Sequence, residues 1–363
     1  MAEMRDVEWL PPLLERHRAP ERFARIRARA GRVEPGVGYF VASDWLPEAS
    51  AELNVALFTR THLADELADL VALTVSQDNS CRYCFAATRT LLIMVGYPRE
   101  RIRRLELNLA IADLDEPTRA AIGFARRLSR SDPHPSRADV EQLARAGIDG
   151  IAYRELAASI CLWVFFNRLS TIPALPPEPM EALPERWFTR LVQPVLAGRI
   201  DRRYRTRGRP GTLPPEMRCG PYAEAVNALD GLFIAPRLRR AIDAMWRSEG
   251  LPRRTRALMC ATIARALACS ASEAEAVALL AEEGVDPATV NGVLSHLDAP
   301  TLTHAERALV RFARETVWYE AAPLQRRAIE VRARLDERAF VEATATVSMA
   351  NMLCRLRLAL AAA

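Results

Sequence analysis

Apolar residues recur every three or four positions along most of this chain. TRAAIGFARRLSR, residues 118–130, and DVEQLARAGI, residues 139–148, are clear examples, and this spacing puts the apolar side chains on one face of a helix. Alternating Val/Ile/Thr segments of strand length are scarce. Ala, Leu, Arg and Glu, all good helix formers, are abundant, and glycine is low at 15 of 363 residues. The pattern predicts an all-α protein.

The pattern also repeats. One constant shift along the chain places Leu70 on Leu258, Thr74 on Thr262, Cys81 on Cys269, Leu91-Leu92 on Leu279-Leu280 and Gly96 on Gly284. Phe124-Ala125-Arg126 then falls on Phe312-Ala313-Arg314, and after a one-residue slip Glu155 meets Glu342 and Arg168 meets Arg355. An offset held without gaps from Trp45 to Ser129 predicts a helical domain duplicated in tandem. The expected organisation is a first repeat over 1–172, a Pro/Arg-rich linker over 173–215 and a degenerate second repeat over 216–363. Six arginines between Arg199 and Arg209 give the linker its charge. Tyr204 is the one aromatic among them, so the expected role is a solvated linker or an arm packed on a neighbouring subunit, not a nucleic-acid site.

Composition narrows the chemistry. All 50 basic residues are arginine, because the chain has no lysine. Schiff-base enzymes and Walker-type phosphate loops are thereby excluded. The arginines interleave with 45 acids for a net charge of +5, which weakens any nucleic-acid reading. Acids lie within the first six residues, and the longest apolar run, Ile160 to Phe166, is far short of the ~20 residues a membrane span requires. A cytoplasmic protein with no membrane partner is expected, and its seven scattered cysteines should be mostly thiols.

One segment concentrates the remaining chemistry: ADLVALTVSQDNSCRYCFAATRTLLIMVGYP, residues 68–98. Asn79 or Ser80 is expected to cap a helix opening at Cys81 and stopping at Gly96. Cys81 and Cys84 then share one face of the first turn, where partial positive charge favours thiolate. A thiolate with a second thiol one turn away suits disulfide exchange or peroxide reduction. Half a zinc site and a pair of buried core cysteines are the competing readings. His17, His62, His134, His296 and His304 show no ligand spacing, and no second CxxC exists.

Asp69, Leu70, Ala72, Leu73, Val75, Ser76, Asn79, Cys81, Tyr83, Cys84 and Gly96 together form a pattern that resembles the carboxymuconolactone decarboxylase family, especially its alkyl hydroperoxidase D (AhpD)-like branch. The segment FFNRL, Phe165 to Leu169, is similar to the closing helix of peroxidase-related members. The resemblance implies an all-helical AhpD-like domain whose two cysteines cycle between dithiol and disulfide without organic cofactor or metal. It also implies that Cys84 attacks, that Cys81 is the exposed resolving thiol and that Asp69, in place of the usual Glu, relays protons. The helix-end argument alone favours Cys81 as the activated thiol. Thr88 stands where the family has its histidine, and a hydroxyl does not titrate near neutrality.

Tyr83, Thr88, Phe166, Asn167 and Arg168 are the expected pocket residues, with the Arg168–Arg355 correspondence also compatible with a shared structural ion pair. In the second repeat Ser272 replaces Cys84, Ala257 replaces Asp69 and Ala276 replaces Thr88. Cys161, Cys260 and Cys354 are expected in the core, and Cys219 beside the linker has no expected role. The expected function is a thiol oxidoreductase acting on a hydroperoxide or disulfide, recharged by an external thiol donor. The alternatives are non-redox small-molecule chemistry in the same pocket or a non-catalytic scaffold. Homo-oligomerisation is expected by analogy, three two-repeat chains rebuilding a ring of six domains.

Overall fold

The computed structural model describes residues 10–107, 113–178, 197–200, 202, 204–318 and 320–363. The N-terminal half contains α1 (Pro20–Ala30), α2 (Leu46–Leu57), β1 (Thr59–Arg60), α3 (Asp65–Asp78), α4 (Arg82–Met94), α5 (Arg99–Leu107), α6 (Glu116–Arg130), α7 (Arg137–Arg145) and α8 (Gly150–Thr171). After β2 (Thr206–Arg207) come α9 (Ala223–Asn227), α10 (Ala235–Arg247), α11 (Arg253–Ala266), α12 (Ser270–Glu282), α13 (Pro287–His296), α14 (His304–Glu315), α15 (Ala321–Arg332) and α16 (Glu337–Ala362). The fold is all-α. No helix among the described residues is long and apolar enough to cross a membrane.

Helix boundaries recur along the chain. In the register that sets Cys81 on Cys269, both ends of α3 and α4 coincide with the ends of α11 and α12, and the starts of α5 and α6 coincide with those of α13 and α14. Several of these starts carry side-chain caps. Asp115 accepts from the Thr118 N–H at 3.0 Å and Asp286 from the Thr289 N–H at 2.9 Å, while Thr303 and Glu306 form a reciprocal capping box.

A continuous apolar core runs through both halves, from Leu14 to Ala359. At its centre the closing helices α8 and α16 make the most extensive helix–helix contact. Both are buried around nearly their whole circumference, as a helix apolar on all sides requires.

Two fully buried arginines sit on these closing helices. Arg168, on α8, donates from Nε to the Thr316 carbonyl just past α14 in the other half, at 2.9 Å. Arg355, on α16, donates from Nε to the Ser129 carbonyl in the last turn of α6 at 2.9 Å, and its remaining nitrogens reach Val317 O at 3.2 Å and Asn351 Oδ1 at 2.7 Å. Each half thus satisfies carbonyls at a helix end of the other, groups that α-helical bonding leaves open. The Arg355 partners are carbonyl and amide oxygens, so the expected ion pair is replaced by hydrogen bonds to backbone dipoles. Burial lowers the Arg355 pKa to about 10, which still leaves it cationic at neutral pH.

A buried carboxylate reinforces the joint. Glu342 on α16 pairs with Arg256 at 2.9 Å and accepts from Ser43 Oγ, Ser248 Oγ and the Trp45 indole N–H. Its sequence counterpart Glu155 instead accepts three successive backbone N–H groups, Thr61 to Leu63, at 2.6–2.8 Å.

Residues 179–196 of the linker, which include part of its Pro-rich stretch, lie outside the described residues. Residues 204–208 of its Arg-rich part pack on the chain's own N-terminal half. Thr206 and Arg207 pair in parallel with Thr59 and Arg60, and Tyr204 meets Phe58 edge-on at 5.3 Å. A side chain at Gly208 would strike Thr59, so the close approach requires glycine there.

Replacing Arg355 by leucine removes the side-chain donor to the Ser129 carbonyl and to Asn351 Oδ1 in the core, at roughly 1–3 kcal/mol each, and leaves Val317 O only the 3.5 Å contact from Arg168. Urea denaturation of Arg355→Leu should show a correspondingly lower midpoint. An unchanged midpoint would remove this arginine as a clamp between the halves.

Candidate active site: two thiols where one helix ends and the next begins

The turn between α3 and α4 sets the site. The Cys81 N–H bonds back to the Ser76 carbonyl at 3.0 Å and the Ser80 N–H to the Gln77 carbonyl at 2.9 Å, while Ser80 takes a left-handed φ of 47°. This is the Schellman ending of a helix, with serine in the position that glycine usually holds. Ser80 is therefore occupied in stopping α3, and Cys81 becomes the N-cap of α4, where the sequence predicts it one residue inside. The Cys81 sulfur accepts from the Cys84 N–H at 3.3 Å. Cys84 is thus the third residue of α4, and the two side chains meet over its first turn.

Both thiols are free and buried, Cys81 completely and Cys84 to 5 % exposure. The exposed resolving Cys81 implied by the family resemblance is not found, because closing helix α8 packs over the turn. The Cys84 thiol donates to Ser170 Oγ at 3.9 Å. Asn167 is close enough to Cys84 to stabilise its charged form, and Thr171 is close enough to Cys81 to do the same there. Asn167 is itself held by Asn79, whose Nδ2 donates to its Oδ1 at 2.9 Å, and its own Nδ2 reaches Ser76 Oγ at 3.3 Å.

This environment splits the pair. Burial raises the Cys81 pKa, but the nearby Cys84 thiol and Thr171, with the N–H groups at the start of α4 that include the 3.3 Å bond from Cys84, outweigh it, and the net shift is downward. Burial, the nearby Cys81 thiol and the Cys81 charge push Cys84 well up, against opposing contributions from Asn167 and Ser170. Cys81 is thus the more acidic thiol of the pair and Cys84 the less acidic. Arg82 adds a cation close enough to interact with the Cys81 charge, its guanidinium steadied by the Ala174 and Leu175 carbonyls at 2.8 and 3.1 Å.

The other expected site residues divide into those near the thiols and those turned elsewhere. Thr88 is one turn below Cys84 and donates to its carbonyl at 2.8 Å, which commits the hydroxyl to backbone. Tyr83 is half-buried, its ring lies against Gly36, and its hydroxyl donates to Glu178 at 3.4 Å. Phe166 stacks edge-on with Phe165 at 5.1 Å. Arg168 turns to the other half.

Asp69 is buried at 1 % exposure and bound by two guanidinium groups, with Arg60 on one oxygen and Arg205 of the linker on the other at 2.7 Å. Its polar partners are these arginines, not the thiols. The sequence reading missed Arg60, Arg205, Ser170 and Thr171. The run Asn167-Arg168-Leu169-Ser170-Thr171 at the end of an apolar helix carried a signal for the last two, as polar groups amid a buried stretch. Among the described residues no group of three or more His, Cys, Asp or Glu is placed to hold a metal ion.

No family model matches this sequence, and no curated protein matches it significantly.

Removing one arginine from the Asp69 pair tests its energetic weight. Arg60→Leu leaves a buried carboxylate with Arg205 alone, and losing a partner of a buried ion pair costs about 3–5 kcal/mol. Thermal or urea unfolding should show this loss, and Arg60→Leu combined with Asp69→Leu should recover most of it. A double variant no more stable than the single would rule out the pairing as the cause.

Proposed function

We propose that the N-terminal half is a thiol–disulfide oxidoreductase site of AhpD-like type, cycling Cys81 and Cys84 between dithiol and disulfide while reducing a hydroperoxide. The observation that carries this reading is the close placement of the two thiols at the start of α4, which lowers one pKa and raises the other. Cys81 thiolate attacks the distal peroxide oxygen, the O–O bond breaks and the organic fragment leaves as an alcohol after taking a proton. Cys81 is then a sulfenic acid. The Cys84 sulfur displaces its hydroxyl group, which leaves as water with the Cys84 proton, and a disulfide closes. An external dithiol returns the two electrons.

The roles are reversed relative to those implied by the family resemblance, with Cys81 attacking and Cys84 resolving. Asp69, held by Arg60 and Arg205, organises α3 beneath the turn, and Arg82 supplies the positive charge that the absent histidine would otherwise contribute on protonation. A second reading, a non-catalytic helical scaffold, is favoured by the burial of both thiols.

Peroxide treatment should lower the intact mass by two hydrogens, mapping by peptide analysis to a Cys81–Cys84 disulfide. In Cys84→Ser, dimedone should label Cys81, whereas Cys81→Ser should leave Cys84 unlabelled near neutral pH. Label on Cys84 would reverse the roles. Two thiols that survive peroxide unchanged in the folded wild type would leave the scaffold reading standing.

A further inference from the structure

The C-terminal half rebuilds the same turn. The Cys269 N–H bonds to the Ala264 carbonyl at 2.9 Å and the Ala268 N–H to the Arg265 carbonyl at 3.1 Å, with Ala268 in the left-handed region at φ 48°. Cys269 is thereby the N-cap of the 13-residue helix α12. The residue matching Cys84 is Ser272, so this half lacks the CxxC pair.

A second thiol arrives from another direction. Cys354 on closing helix α16 stands at the position that matches Asn167 on α8, and α12 packs against α16. The sequence places Cys354 in an apolar run and predicts core packing for it. The structure does bury it, at 1 % exposure, but against Cys269, which is itself 4 % exposed. The two thiols are close enough to influence one another, and the Cys269 thiol donates to the Ser272 hydroxyl at 3.3 Å. Where the N-terminal half has a thiol on the helix start and an amide on the closing helix, the C-terminal half has a hydroxyl and a thiol in the same two places. The pair has been redistributed, not lost.

The surroundings favour one thiolate. Arg357, one turn beyond Cys354 on α16, donates to Ser272 Oγ at 3.3 Å and to Glu275 at 2.5 Å, and it lies 5.1 Å from the Tyr222 ring centre. The nearby Cys354 thiol is the largest influence on Cys269. With Ser272 and the Arg357 charge it outweighs burial and brings Cys269 down to about 6, while Cys354 is pushed well up. The nearby Cys260 is raised to about 12 by burial and is no competitor as a nucleophile.

We propose that Cys269 and Cys354 are a second dithiol–disulfide couple, oxidised by a small hydroperoxide. The Cys269 sulfur attacks the distal peroxide oxygen, and the peroxide leaves as an alcohol, or as water from hydrogen peroxide. The Cys354 sulfur then displaces the hydroxyl from the Cys269 sulfenic acid as water, and the S–S bond forms. Two thiols are oxidised by two electrons and one hydroperoxide is reduced. The burial of Cys269, at 4 % exposure, restricts the oxidant to a small one.

The couple is independent of Cys81 and Cys84, so the test removes both. In full-length Cys81→Ser/Cys84→Ser, stoichiometric hydrogen peroxide should lower the mass by two hydrogens. The change should map to a Cys269–Cys354 peptide pair and be reversed by dithiothreitol. In the same background Cys354→Ser should stop at a dimedone-trappable Cys269. That labelling should fall as pH drops from 7 to 5, because the trappable species starts as thiolate. Should the combined substitutions compromise folding, the cross-linked Cys269–Cys354 peptide is sought in oxidised wild-type protein. Thiols at 269 and 354 that stay reduced while exposed Cys219 reacts, or a disulfide joining Cys269 to a different cysteine, would overturn the proposal.

Discussion

The structure depends on two arginines that leave their own halves. Arg168 and Arg355 sit on the two closing helices, fully removed from water, and each ends at carbonyls near the close of a helix in the opposite half. Burying a guanidinium is costly unless its N–H groups are satisfied. The backbone can satisfy them only if α6, α8, α14 and α16 are all in register. That requirement turns two apolar stripes, which tolerate sliding, into a joint with one geometry. Because both thiol turns pack under the closing helices, their geometry is inherited from this joint.

Much of the architecture was legible in local pattern. The period of apolar residues foretold helices, and the constant offset between Leu70 and Leu258 or Gly96 and Gly284 foretold where helix ends would recur. The capping turn was misplaced by one residue for a physical reason. A Schellman ending is usually advertised by glycine, and here Ser80 and Ala268 adopt the left-handed conformation without it. Cys81 and Cys84 were readable as a pair because their spacing is local. The partnership of Cys269 with Cys354, like the grip of Arg205 on Asp69, joins residues that are distant in sequence and meet only through tertiary packing. Composition gives no warning of either.

The two halves show how one scaffold distributes polar chemistry differently. Around Cys84 stand an amide and a hydroxyl from α8. Around Cys269 stand a thiol from α16, a hydroxyl from its own helix and a nearby guanidinium. The acid on α3 is absent from α11, and Glu342 has gathered four side-chain donors where Glu155 gathers three backbone N–H groups. Helix geometry is held nearly constant while the side chains around each cysteine change.

The crossed arginines have a further consequence for how such a chain can vary. Each half offers a guanidinium on its closing helix and carbonyls that receive one from the other half, so the contact between them has the reciprocal character of a twofold interface. In an assembly of identical subunits every substitution appears on both sides of such an interface at once. Carrying both sides on one polypeptide lifts this coupling: a residue can change on α16 without its equivalent changing on α8. The chain thereby keeps the mechanical closure of a symmetric pair while its two thiol environments are free to part.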